Sequence, residues 1–391
     1  MNSLTPLRAL SLLSLSLLGC VSSTPPTPLD AGSADAAAQS DGAASTEDAN
    51  RVRADADRQR DAGAGLDAAS SETLPTLGTV TLLPTPCPRA AAMRDGQRCE
   101  YVEVDCTHAG TTPNMRAELR ITEPTAPYRG TVWLGSGSQG GGFYAGDTYS
   151  YALVDGLSGA GFRVVERAWD IGRDSAGGWF TGESGTRVAS CRSGTLFGYV
   201  HDHLTEADAP FCASANSGGS MELAYIMSVW RGDRFADLVM PTSGPAFRND
   251  LACAGAHDAA WVSQCEGIRD RYGASPSVAC ELDGPRRILD QSWGGAPVCT
   301  MASATTMPML EADSPTGAGA TTSFGVPFRF LYGATDGMGA VTLGIAYAES
   351  LRDAGTDVRI EVIPDGIHDM GDDPNGSVRL LEILRDECSA H

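Results

Sequence analysis

The stretch that most constrains this chain runs from Ala209 to Trp230, APFCASANSGGSMELAYIMSVW. Residues 209–215 read as a short β-run, and Met221–Trp230 reads as a helix that is apolar on nearly every side. A helix of that kind packs at the centre of a domain. Between the two, Ala215-Asn216-Ser217-Gly218-Gly219 matches small-x-Ser-x-Gly, with Ala in the first glycine position of the G-x-S-x-G pattern. A strand that must become a helix within so few residues leaves Ser217 strained at the apex, its hydroxyl exposed. Small neighbours at Ala215 and Gly219 let strand and helix approach each other, and the helix N-terminus adds positive potential beside the hydroxyl. Gly/Ser-rich loops match five residues by accident; the strand before and the buried helix after give this match its weight.

The order of the other segments sets the fold class. Residues 79–84 (TVTLLP), 99–106 (CEYVEVDC) and 115–122 (MRAELRIT) alternate apolar and polar side chains, as half-buried antiparallel strands do. Short β-rich runs follow at 130–135, 162–167, 209–215, 235–244, 326–333 and 357–364. Helices are predicted over Tyr149–Ala160, Gly194–Leu204 and Pro374–Cys388, the last with Asp373 as N-cap and Pro374 at its first position. Strands alternating with helices predict an α/β protein with a mostly parallel, doubly wound sheet that starts with antiparallel strands.

Two strand ends carry further polar residues. Asp336 lies in ATDGMG after the run 326–333, and His368 lies in DGIHDM after the run 357–364. Each alone also reads as a solvated turn or loop residue. The other histidines stand elsewhere; His201 and His203, for example, fall in a predicted helix and His391 ends the chain. Serine after one strand, acid after a later one and histidine after the last is the order of the α/β-hydrolase superfamily. Residues 77–390 resemble that superfamily, most specifically at the serine, acid and histidine turns. The resemblance implies that Ser217 is a nucleophile, His368 its general base and Asp336 the carboxylate that orients the base. It also implies that the roughly 80 residues Pro245–Gly325, with four cysteines, Trp261 and Trp293, form a cap insertion over the nucleophile. The alternative is an excursion packed elsewhere. A segment that long calls for a function.

The run WLGSGSQGGGFY (133–144) leaves two chemistries open, because Gly135, Gly137 and Gly140 spell the G-x-G-x-x-G of a dinucleotide loop. The resemblance places here the loop that gives the second oxyanion N–H, from Ser138 or Gln139, with Gly218 giving the first; the histidine of an HGGG run is missing. The dinucleotide reading would need an acid about 20 residues on, and Glu166 lies farther away. Residues 169–179 (WDIGRDSAGGW) loosely resemble the superfamily's D-x-R-G-x-G-x-S turn, and support of the site is expected of them rather than chemistry.

Residues 1–19 hold Arg8, an apolar Leu10–Leu18 run too short to span a bilayer, and Leu17-Leu18-Gly19 before Cys20. This resembles a bacterial lipobox, which implies lipidation of Cys20; an ordinary signal peptide is the alternative. Residues 20–75 are dominated by Ala, Ser, Asp, Gly, Thr and Pro and predict a flexible tether to the domain at 76–391. Of 11 cysteines, removing Cys20 leaves an even ten and up to five disulfides, with Cys253–Cys265 and Cys280–Cys299 as expected pairs. No C-x-x-C occurs, so zinc is disfavoured and no metal or other cofactor is expected. The net charge of −21 argues against nucleic-acid or anionic-membrane partners. A lipid would be the only membrane contact, in the cell envelope or after secretion. The expectation is an exported serine hydrolase that cleaves a small-molecule or polymer ester. A peptidase or amidase with the same triad is the nearest rival, and a non-catalytic surface binding protein on the same scaffold is a third reading.

Overall fold

The computed structural model describes residues 74–389 except 111–113, 172–176, 245–247, 255–258, 276–288, 318 and 339. Residues 1–19, Cys20 and nearly all of the segment expected to be a tether therefore lie outside the described residues. Among the described residues no helix is long and apolar enough to cross a membrane.

Nine strands form one sheet: β1 (Thr79–Leu82), β2 (Gln97–Asp105), β3 (Met115–Thr122), β4 (Gly130–Gly135), β5 (Phe162–Trp169), β6 (Phe211–Asn216), β7 (Leu238–Thr242), β8 (Phe328–Gly333) and β9 (Val358–Ile363). Their order is β1-β2-β3-β5-β4-β6-β7-β8-β9. The pairings β1–β2, β2–β3 and β3–β5 are antiparallel, and every pairing from β5 through β4 to β9 is parallel. The expected change from alternating opening strands to parallel βα units is what the sheet shows. From β4 the chain crosses one way to β5 and then returns past β4 to β6. Such a reversal opens a crevice at the carboxyl ends of the strands, where ligands settle in sheets of this kind.

Side chains alternate between the two faces with the strand period of two. Val132, Leu134, Val164, Cys212 and Met240 join α1 (Thr148–Gly159) and the C-terminal helix in one core. Trp133, Val165, Ala213 and Val239 join α3 (Cys191–Leu204) and α4 (Gly218–Ser228) in the other, with the four-residue α2 (Thr186–Ala189) ahead of α3. Helices on both faces explain why the central strands are buried end to end. The helix starts follow from local chemistry. Asp147 accepts from the N–H groups of Tyr149 and Ser150, and Asp373 accepts from those of Asn375 and Gly376 behind Pro374.

The insertion before β8 contributes α5 (Asn249–Ala254), α6 (Ala259–Tyr272) and α7 (Met307–Asp313). Ala252, Trp261, Ile268 and Leu310 are buried in the same core as the α4 side chains. Disulfides join Cys87–Cys99, Cys106–Cys191, Cys212–Cys388 and Cys253–Cys299. Cys265 is disulfide-bonded as well, and Cys280 lies outside the described residues. The expected pairs Cys253–Cys265 and Cys280–Cys299 are thus corrected, since Cys253 and Cys299 join each other. The cause is packing direction: α5 lies against α7, whereas α6 lies against α8 (Ala340–Asp353). Closeness in sequence does not bring two Cβ atoms on such helices face to face.

Asp313, at the end of α7, ties the insertion to the domain. Its carboxylate accepts from the N–H groups of Thr186 and Arg187 at 3.0 and 2.9 Å and from Asn249 Nδ2 at 3.2 Å, and its carbonyl accepts from Tyr225 Oη at 2.8 Å. Burial pushes its carboxyl up to about 6, against the opposing pull of those donors. The fold therefore favours the protonated acid, and stability contributed by this group is lost as pH rises from about 4 to about 6. Asp313→Asn is expected to be less stable at pH 4, because the amide cannot accept on both sides. Its thermal midpoint should fall less than that of the wild type between pH 4 and 6. Parallel melts of the two proteins across that range check the difference.

Candidate active site

β6 ends at Asn216 and α4 begins at Gly218, so a single residue turns strand into helix. That residue, Ser217, has φ 52° and ψ −121°, a conformation costly for any side chain with a Cβ. The neighbours enforce it: Ser217 donates its N–H to Thr242 O at 2.9 Å, while Ser220 and Met221 already donate to the Ser217 carbonyl. A Cβ on Gly218 would run into the Ser138 carbonyl, and one on Gly219 would stand 2.6 Å from Ser136 O. Only glycine lets the loop after β4 lie this close to the turn.

β8 and β9 deliver the other two residues, and the turns after them lock together through Thr335, whose N–H and hydroxyl both donate to Gly366 O. Asp336 is fully buried. Its Oδ1 accepts from Met338 N at 2.9 Å, and both of its oxygens stand 2.9 Å from His368 Nδ1. His368 Nε2 stands 2.9 Å from Ser217 Oγ. An ionised carboxylate only accepts, so Nδ1 carries the ring proton and Nε2 is left to accept from the serine hydroxyl. The imidazole is one-quarter exposed, so the ring is reachable while the Asp336 carboxylate is sealed from water. Next to His368, burial pushes the Asp369 carboxyl above its ordinary range, with the imidazole pulling the other way.

The glycine-rich loop lies across the serine. A Cβ at Gly137 would stand 3.1 Å from Ser217 Cβ, and one at Gly218 would stand 2.9 Å from Ser138 N. Ser138 itself has φ 51°, inside a turn closed by Gly140 N donating to Gly137 O at 2.9 Å. The backbone of Ser138 is thereby laid against the first residue of α4. Gln139 is held by Trp179, whose N–H donates to its carbonyl at 3.3 Å. Trp179 and Trp169 come from the two ends of the 169–179 turn, whose centre lies outside the described residues.

The same geometry speaks against a dinucleotide loop. Such a loop opens a helix whose N-terminus receives the pyrophosphate. Here α1 starts at Thr148, well beyond Gly140, and its N-terminus is capped by the Asp147 carboxylate. Glu166, the candidate ribose acid, is fully buried and bound to Arg120 at 2.7 and 2.6 Å and to Ala145 N at 2.7 Å.

Two groups of the site went unread in the sequence. Asn216 Oδ1 accepts from Thr242 Oγ1 at 2.8 Å and from Met370 N at 3.4 Å, linking the serine turn to the histidine segment. Glu222 is buried beneath the serine, bonded to Trp169 Nε1, Ser193 Oγ and Arg167. Its signal was a lone charge in an otherwise apolar helix. His201 and His203 lie on α3, bonded to Asp202 and to Tyr199 O. Among the described residues one group of metal-type donors converges, Cys87, Cys99 and Glu118, and its two sulfurs are joined in a disulfide.

No protein-family model matches the sequence, and no curated protein does. The fold is similar to solved structures. One is a lipase in its open form, with 18% identity and a TM-score of 0.44 over 74% of this chain and 98% of the other. Another is brefeldin A esterase, a bacterial homologue of human hormone-sensitive lipase, with 15% identity and a TM-score of 0.47 over 78% and 80% of the two chains. A third is a carboxyl esterase from Bacillus coagulans, with 14% identity and a TM-score of 0.42 over 69% and 93%.

Proposed function

We propose that this chain is a serine hydrolase that cleaves carboxylic esters through an acyl-enzyme on Ser217. One observation carries the reading: Asp336, His368 and Ser217 form an unbroken hydrogen-bonded line, and the glycine-rich loop after β4 packs against the serine turn. Ser217 Oγ attacks the ester carbonyl while His368 Nε2 takes the hydroxyl proton. Asp336 holds the ring in the required tautomer and balances the imidazolium. The N–H groups of Gly218 and of Ser138 or Gln139 receive the carbonyl oxygen as it becomes an oxyanion. Collapse returns the proton from His368 to the departing alkoxide. Water, deprotonated by the same imidazole, then attacks the acyl-enzyme, releases the acid and restores Ser217.

On this reading the insertion before β8 caps the site and shapes the pocket for the acyl or alcohol group; Asn249 Nδ2 donates to Tyr225 Oη and Tyr225 Oη to Asp313 O, fastening its described part to the helix that follows Ser217. Export, with a lipid on Cys20 and residues 20–75 as tether, belongs to the same proposal. Its support is the disulfides, which persist in oxidising compartments.

Turnover of short-chain p-nitrophenyl esters tests the reading, and substitutions in the glycine loop test its oxyanion half. Ser138→Ala and Gln139→Ala keep the backbone donors and should change kcat little. Proline removes the N–H, and at whichever of the two positions supplies the donor it should lower kcat by roughly 10²–10³-fold. Circular dichroism and a melt confirm that each variant is folded. Proline variants at both positions that fold and turn over at the wild-type rate would remove this loop from the mechanism.

A further inference from the structure

β5 carries two adjacent charged residues, Glu166 and Arg167, and both are fully buried. They point to opposite faces of the sheet, and both end on the same loop. Glu166, paired with Arg120, accepts from Ala145 N, while Arg120 donates to Ala145 O at 2.7 Å. Arg167 takes the other end. Its Nη1 donates to Gly140 O at 3.1 Å and to Ser136 Oγ at 3.2 Å, and its Nη2 donates to Ser136 O at 3.2 Å. One guanidinium therefore binds the chain on both sides of Ser138 and Gln139. A Cβ on Gly140 would occupy the place of that guanidinium.

The counter-ion of Arg167 is Glu222, in α4. α4 begins with Gly218, the source of the first oxyanion N–H. Ser193 Oγ at 2.7 Å and Trp169 Nε1 at 2.9 Å hold the other Glu222 oxygen, so its carboxylate has little freedom to turn. A single buried ion pair thus spans the two segments that carry the donors. Burying two charges carries a desolvation cost that their attraction must offset, and apolar residues of similar size are often as stable. A pair at this position is explained by what it fixes. The planar fork of arginine reaches two carbonyls and a carboxylate at once, which the point charge of lysine cannot do.

We infer that Arg167, with Glu222, is a positioning residue for the oxyanion site, setting the distance between the Gly218 donor and the donor of the 138–139 turn. This inference rests on the serine-hydrolase reading. It makes no contact with substrate, and its effect is on the transition state, where the oxygen carries charge, rather than on substrate binding.

The test compares the wild type with Arg167→Lys, Glu222→Gln and Ser136→Ala, the last a milder change that removes one Arg167 contact along with the Ser136 Oγ bond to Gly142 O. For each, kcat and KM on a p-nitrophenyl ester and the inhibition constant of an alkyl boronic acid, which forms a tetrahedral adduct on the serine, are measured per folded site. Arg167→Lys and Glu222→Gln should lower kcat by roughly 10²-fold with KM within about twofold, and should weaken the boronic acid by a similar factor. Ser136→Ala should follow the same pattern at a severalfold level. A merely structural role would lower the thermal midpoint and leave kcat and boronic acid affinity per folded site unchanged. That result overturns the inference. Should the two charge variants fail to fold, an unchanged Ser136→Ala overturns it equally. A wild type with neither ester turnover nor boronic acid binding would instead refute the hydrolase reading on which the inference stands.

Discussion

Ser217→Ala is expected to reduce ester turnover by about 10⁴–10⁶-fold, the range seen when a triad nucleophile is removed. Among the described residues the Ser217 hydroxyl meets one polar side chain, at His368 Nε2, so the change deletes the attacking atom and little else. Gly218 and Gly219 remain packed under the loop, and the backbone bond from Ser217 N to Thr242 O is untouched. The thermal midpoint should therefore stay near that of the wild type or rise slightly. Active-site titration and a melt on one preparation separate lost chemistry from lost fold. His368→Ala should be comparably severe, since no other histidine among the described residues reaches the serine.

Asp336→Asn should be the next largest loss, about 10⁴-fold in kcat by analogy with other triads and smaller than that of Ser217→Ala. Both oxygens of the buried Asp336 face Nδ1 of His368. An amide offers one oxygen and one NH₂ there, and Met338 N already donates to Oδ1. With the oxygen kept on Met338, the NH₂ meets Nδ1–H, and the imidazole relieves the conflict by moving its proton to Nε2. A protonated Nε2 cannot accept from Ser217. KM should change little, because Asp336 is sealed from any substrate. Steady-state kinetics on the purified variant, with a melt to confirm folding, check both parts; a kcat within tenfold of the wild type would separate Asp336 from the base.

The features legible in the sequence were those whose cause is local. Ser217 could be read because a one-residue turn from strand to helix demands Gly218, Gly219 and Ala215 around it. Asp336 and His368 could be read because each stands one turn beyond a recognisable apolar strand. Asp147 and Asp373 cap helices with their own side chains, so the starts of α1 and α9 (Pro374–Glu387) were near the expected places. The helix after Ser217 starts at Gly218 and ends at Ser228, so the expected span Met221–Trp230 sits two residues too far at its C-terminus. There Ser228 Oγ bonds back to Ala224 O, and Arg231 turns left-handed with φ 54°.

What escaped was set by partners distant in the chain. Cys253 finds Cys299 across 46 residues because α5 packs on α7. Nothing in the sequence around Glu166 signals that Arg120, two strands earlier, satisfies its carboxylate. Arg167 and Glu222 were visible as charges in apolar runs, yet their pairing appears only when β5 and α4 meet beneath the glycine loop.

The central claim is that Ser217 is an activated nucleophile, and the most direct measurement is labelling of the folded protein with a fluorophosphonate probe, followed by peptide mapping. The account predicts one modified peptide, carrying the phosphonyl group on Ser217, formed by the native protein and lost on denaturation. Labelling should vanish in Ser217→Ala and fall steeply in His368→Ala. A label on another residue, or labelling undiminished by Ser217→Ala, would contradict it.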